Sequence, residues 1–246
     1  MKKVILSVSA VLLLSVGAFA QLEDEKNVTI TMDLQPILQL NMNTSDQINF
    51  SFDDIADYYG GITKYGATIL TVSSTVSWDL YAVGSSNAGV TWDNQMVYGA
   101  GTDPNAVRLL PIEALELHQS IADATPSTGS YPDYSTAFAP ASALAVGQNS
   151  IYASATPYVA PPITEKYIQG QAGAANFAAG GSYLTQGALL SSIYYYAIDY
   201  RILPGLPAVF PAAGTNAAVS KALLAGTYAQ PGVYTMNVKY VLLENQ

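Results

Sequence analysis

The chain is 246 residues long, contains no cysteine, and carries nine lysines and arginines against eighteen aspartates and glutamates. This length suffices for one sizeable β domain, the missing cysteines exclude disulfide bracing and acylation on a cysteine, and the acidic balance offers no basic footprint for nucleic-acid phosphates. Only 11% of the residues are charged, against about a quarter in ordinary soluble domains, so polarity rests on Ser, Thr, Asn, Gln and eighteen tyrosines, a surface suited to packing against neighbouring chains or carbohydrate.

Met1, Lys2 and Lys3 precede an apolar run over residues 4–16, and Gly17, Ala18, Phe19 and Ala20 follow. This order of charge, apolar run and small residues predicts a signal peptide over 1–20 with cleavage before Gln21. The run is shorter than the roughly 20 residues a membrane span needs, so no transmembrane segment is expected after cleavage. Export to the periplasm, the cell surface or the extracellular space follows. Residues 21–246 are expected to form one elaborated β-sandwich domain.

From Val28, the even positions Ile30, Met32, Leu34, Leu38, Leu40 and Met42 are apolar and the odd positions mostly polar, which predicts two strand segments separated at Pro36. Ile48, Phe50 and Phe52 predict a short strand, and the alternation from Leu70 through Val72, Val76 and Trp78 to Leu80 a long one. Residues 101–190, rich in Ala, Pro, Gly, Ser and Tyr, read as a long irregular insertion with one strand near 107–117. Tyr194, Tyr196, Ile198, Tyr200 and Ile202 form one face of a further strand. Tyr234, Met236, Val238, Tyr240 and Leu242 do the same after the turn signal Pro231-Gly232. Amphipathic strands without a long helical period predict an antiparallel, all-β fold, an immunoglobulin-like β-sandwich.

Residues 25–37 (Glu-Lys-Asn-Val-Thr-Ile-Thr-Met-Asp-Leu-Gln-Pro-Ile) resemble the first strand of immunoglobulin-like fimbrial subunits of the alternate-chaperone type. Ala225-Gly226-Thr227-Tyr228 and residues 231–238 resemble their last strand. Trp78-Asp79-Leu80 is also similar to the first Trp-x-Leu of bacterial WxL-type surface domains, with Tyr240-Val241-Leu242 in the terminal position and Tyr replacing Trp. The resemblance implies a structural or adhesive surface protein, with Val28, Ile30, Met32 and Leu34 as a strand lent to a neighbouring subunit.

His118 is the single histidine and stands in no nucleophile or metal motif; Glu113 and Glu116 carry no glycosidase signature. No catalytic residue, cofactor or metal site is therefore expected. Asp53, Asp54 and Asp57, followed by Gly60 and Gly61, form an acidic cluster that lacks the calcium-loop order, and it reads as a solvated loop. Trp78 alternates with the apolar face and is expected in the core. Trp92, Tyr98, Tyr81 and Tyr195 are the aromatic residues placed to stack on sugar rings or a protein partner, and Trp92, expected in a turn beside Gly89, Asp93 and Asn94, is the better exposed of the two tryptophans. Three functions compete: a non-enzymatic surface subunit that associates with itself or other subunits, a soluble module that binds glycan or cell-wall polymer, and an outer-membrane barrel, against which stand the Ala- and Pro-rich middle, the few clear spanning strands and the polar residues 244–246.

Overall fold

The computed structural model describes residues 26–99, 106–121, 133–139, 148–171, 194–202 and 228–244. The signal-peptide reading and nearly half of the 101–190 insertion lie outside them. The described residues from Pro36 onward belong to one compact unit, and 26–35 to a separate one.

The fold is all-β and sandwich-like, with antiparallel sheets and, among the described residues, almost no helix. In chain order, β1 spans Leu38–Met42, a short helix α1 Ile55–Gly60, β2 Ile62–Ser74, β3 Trp78–Ser85, β4 Asp93–Val97 and β5 Ala106–Val107. A 3-10 turn at Ile112–Ala114 leads into β6, Leu115–Ile121; then come β7 Tyr194–Ile202, β8 Tyr228–Ala229, β9 Gly232–Thr235 and β10 Asn237–Glu244. The largest sheet has the order β1-β2-β7-β6; β10 pairs with β3, and β4 with β9. The two-residue β5–β8 pair is parallel.

The main core lies between the four-stranded sheet and the β3–β10 pair. Leu70 and Val72 of β2, Leu117 of β6 and Tyr196 and Ile198 of β7 meet Trp78, Leu80 and Ala82 of β3 there, with Val238, Tyr240 and Leu242 of β10 packed alongside. The ring of Trp78 meets Tyr194 edge-on, at 4.7 Å between centroids. The other face of β3 is also covered: Tyr81 and Val83 pack with Tyr167, Tyr152 and Val241 in a second cluster. A strand so buried on both sides must alternate between two apolar environments, which explains the nearly unbroken apolar run from Leu80 to Val83.

The structure corrects several boundaries. The alternation from Leu70 to Leu80 is two strands, because the Ser74 hydroxyl donates to the Val76 carbonyl and accepts from its N–H, closing a turn. The phase survives because both strands face one core: alternation reports the buried face and not the continuity of the ladder. The closing alternation likewise divides at Met236 between β9, on β4, and β10, on β3. Within 107–117 the chain turns through Ile112–Ala114 before β6 begins at Leu115. Ile48, Phe50 and Phe52 do pack on the core, but no ladder forms there. Ser45 bonds locally to Gln47 and Ser51 to Asp53, competing with strand pairing. Residues 28–34 form no strand either.

The acidic cluster is a helix cap rather than a plain loop. Asp54 Oδ1 accepts the Ala56 N–H at 3.0 Å, and Asp57 Oδ2 accepts the N–H of Asp54 at 3.2 Å, the reciprocal capping box that starts α1. Asp54→Ala is expected to lower stability by about 1 kcal/mol, read as a shift in the urea midpoint at constant slope. No group of His, Asp and Glu able to hold a metal ion occurs among the described residues, nor does a helix long and apolar enough to cross a membrane.

Candidate functional site

Two features of the described chain are open to a partner. The first is residues 28–34. Val28, Ile30, Met32 and Leu34 are 84%, 87%, 77% and 81% exposed, so every apolar side chain of the alternation stands in water. The backbone there adopts no helix or strand, and Pro36 lacks the N–H that would continue a ladder toward β1. The polar positions between them are Thr29, Thr31 and Asp33.

The second is an open groove of about 450 Å³ between β1 and β10. Leu38 and Leu40 form one wall, and Tyr240 and Leu242 the other. Among the described residues, β1 pairs only with β2 and β10 only with β3, so each strand keeps one edge without a ladder partner. Apolar side chains beside unpaired edges are the usual prelude to strand addition.

The β10 wall is tied to the opposite sheet by hydroxyl groups. Tyr240 and Tyr200 share a short hydrogen bond, and Tyr200 meets Thr68 Oγ1 at 2.7 Å, joining β10, β7 and β2. Burial pushes the Tyr240 phenol well above its ordinary pKa, so this link stays protonated across the physiological range. At the rim, Lys239 places its ammonium 3.5 Å from the ring centroid of Tyr158. Their hydrogen bond, aided by the lysine charge, lowers the Tyr158 phenol pKa. The loop bearing Tyr158 is held to the fold by Tyr167, whose hydroxyl donates to the Pro161 carbonyl at 2.6 Å.

The aromatic residues singled out in the sequence are not brought together. Tyr98 is exposed. Tyr195 is half-buried opposite Thr71. Tyr81 is 1% exposed, in the second cluster, and cannot meet an outside ligand without unpacking it. Trp92, expected at the surface, is half-buried against the core, with Nε1 donating to the Pro111 carbonyl at 3.0 Å. The turn that was to expose it does exist, but Asp93 closes it by accepting the N–H groups of Asn87 and Ala88, turning the indole inward. Trp78 is fully buried. Tyr158, which no sequence pattern marked, is an exposed aromatic ring beside the groove.

His118 sits on β6 facing Asp199 of β7, with Nδ1 2.8 Å from Asp199 Oδ2; the other carboxylate oxygen accepts the Gly66 N–H at 2.6 Å. Gly66 lies where β2 slips register against β7, and its positive φ lets that N–H reach the carboxylate. Two residues along the ladder, Glu116 faces Arg201, whose Nε donates to Oε2 at 2.5 Å while Nη1 donates to the Ala139 carbonyl at 2.6 Å. The Arg201 guanidinium also stacks 4.6 Å from the Phe138 ring centroid. These charges pin the 133–139 segment onto the sheet.

On β3, Asp79 is 1% exposed. Its Oδ1 accepts the Gln171 N–H at 2.8 Å, and Oδ2 has no hydrogen-bond partner among the described residues. Burial pushes its carboxyl up to about 6.

No family model matches the chain, and no curated protein matches it either.

Proposed function

We propose that this is an exported, non-enzymatic bacterial surface protein, structural or adhesive, that assembles by lending residues 28–34 as a strand to another subunit. One observation carries the reading: four apolar side chains at strand spacing, all exposed, on a segment with no ladder of its own. Each would contribute about 1.5–3 kcal/mol on burial, while ordering the backbone costs about 1–2 kcal/mol per residue. Those terms nearly cancel for an isolated strand. Pairing becomes favourable only where a partner supplies both ladder hydrogen bonds and an apolar surface, which is the behaviour of an assembly element. The likeness of the chain's two ends to immunoglobulin-like fimbrial subunits, the leader-like first 20 residues and the low charge support the same reading.

The soluble glycan-binding alternative draws on the exposed faces of Tyr98 and Tyr158. The two readings differ in self-association. Light scattering and electron microscopy of the chain from Gln21 onward should show concentration-dependent oligomers, lost when Ile30→Asp and Met32→Asp are combined. At concentrations too low for association the thermal midpoint should not move, because both side chains stand in water in the single chain. A monodisperse monomer in both proteins at high concentration would rule out strand lending.

A further inference from the structure

We infer that Asn27 is the attachment site of an N-linked oligosaccharide, transferred by a membrane oligosaccharyltransferase after export; this rests on the export reading above and not on strand lending.

Three asparagines begin an Asn-x-Ser/Thr triplet: Asn27-Val28-Thr29, Asn43-Thr44-Ser45 and Asn49-Phe50-Ser51. All three are exposed, so exposure does not choose between them. The needs of the transfer do. A carboxamide nitrogen is a poor nucleophile, and the enzyme must draw the triplet into its own cleft, grip the hydroxyl at the third position and aim the amide at the sugar. A triplet whose hydroxyl and backbone are already engaged in the fold resists this.

Asn43 and Asn49 stand in such triplets. The Asn43 N–H donates to the Ile69 carbonyl at 2.9 Å, Thr44 Oγ1 accepts the Ile69 N–H at 3.1 Å, and the Ser45 hydroxyl is bonded to the Gln47 backbone. In the third triplet Phe50 packs on the main core and Ser51 Oγ donates to the Asp53 carboxylate at 2.9 Å. Drawing out either one breaks these contacts. Asn27, Val28 and Thr29 are all exposed and lie in neither helix nor strand, and β1 begins only at Leu38. This triplet can enter a cleft while the sandwich stays folded.

Charge separates the three as well. Bacterial enzymes of this class hold a carboxylate two residues before the asparagine with a cationic side chain. Glu25 stands there for Asn27, whereas Asn41 and Gln47 stand there for the other two.

In the transfer, the Asn27 nitrogen attacks C1 of the first sugar of a polyprenyl-pyrophosphate-linked oligosaccharide. A C–N bond forms at C1, the C1–O bond to the pyrophosphate breaks, and the amide gives one proton to a base of the enzyme. Polyprenyl pyrophosphate leaves, and nothing is oxidised or reduced. In an extended segment Asn27 shares its side with Thr29, Thr31 and Asp33, opposite Val28, Ile30, Met32 and Leu34. The glycan therefore leaves the apolar side uncovered.

The full chain is made in a bacterium that carries a lipid-linked oligosaccharide and an oligosaccharyltransferase, beside an acceptor protein of proven competence. Intact mass of the periplasmic product should show the chain from Gln21 plus one glycan. Asn27→Gln and Thr29→Ala should each abolish the increment, and Thr29→Ser should retain it. Asn43→Gln and Asn49→Gln should leave it unchanged. A bare mature chain beside a glycosylated control, or a glycan that survives Asn27→Gln, would overturn the proposal. A product that still carries residues 1–20 would overturn the export reading and this site with it.

Discussion

Glu116→Ala is expected to cost about 3–5 kcal/mol of unfolding free energy, because it leaves the Arg201 guanidinium, 9% exposed, without its carboxylate. The Ala139 carbonyl and the Phe138 face remain, but neither neutralises the charge. The pair itself contributes little net stability. Burial raises the Glu116 carboxyl above its ordinary pKa in spite of the guanidinium beside it, so removal from water outweighs the attraction. It follows that Glu116→Leu with Arg201→Met should lie close to the parent protein. Urea unfolding of the single and double variants separates the two effects. A double variant as unstable as Glu116→Ala would mean that the guanidinium contacts on residues 138 and 139, and not charge compensation, hold this part of the sheet.

Asp79→Asn is expected to stabilise the fold by about 3 kcal/mol at pH 7 and by almost nothing at pH 4. The carboxyl has an ordinary value near 3.8 and is pushed to about 6 in the folded chain. The folded state therefore holds this proton more tightly than the unfolded one. Between those two values unfolding releases a proton, so stability falls as pH rises and levels off above about 6. Burial raises Glu113 and Glu116 as well, and they act in the same direction. Asparagine keeps an acceptor for the Gln171 N–H and carries no charge to bury. Unfolding midpoints from pH 4 to pH 8 for both proteins check this; parallel curves would show that the Asp79 charge is solvated in the folded state. The carboxylate is closely held: Gly170 has a φ of +71°, and a Cβ there would lie 2.2 Å from Asp79 Oδ1. Only glycine permits this approach.

Much of the fold was legible because period-two alternation reports burial directly. β1, β7 and β10 fall where Leu38, Tyr194 and Val238 announce them, and the all-β class follows from their sum. Alternation was silent on where one ladder ends and the next begins, since Val72 and Trp78 keep one phase while lying in different sheets. It also promised strands at Ile48–Phe50–Phe52 and at 28–34, where faces alternate but hydrogen-bond partners do not follow. A pattern specifies which side is apolar; a strand further needs a neighbour. The candidate site was half legible for the same reason. Val28 to Leu34 could be read along the chain, whereas the groove joins β1 to β10, some 200 residues later, and Tyr158 reaches it from a loop with no periodicity. Trp92 misled because an indole beside a turn is exposed only if the turn leaves it so.

The burial of β3 on both faces has a consequence for how the chain comes apart. Trp78, Leu80 and Ala82 anchor one cluster while Tyr81 and Val83 anchor the other, so neither can loosen without disturbing the shared strand. Partial opening that frees one layer would strip apolar contacts from the other, and the intermediate would expose two surfaces for the gain of one. The two clusters should therefore melt together, as a single cooperative transition, although the chain distributes its apolar residues over two sides of one strand.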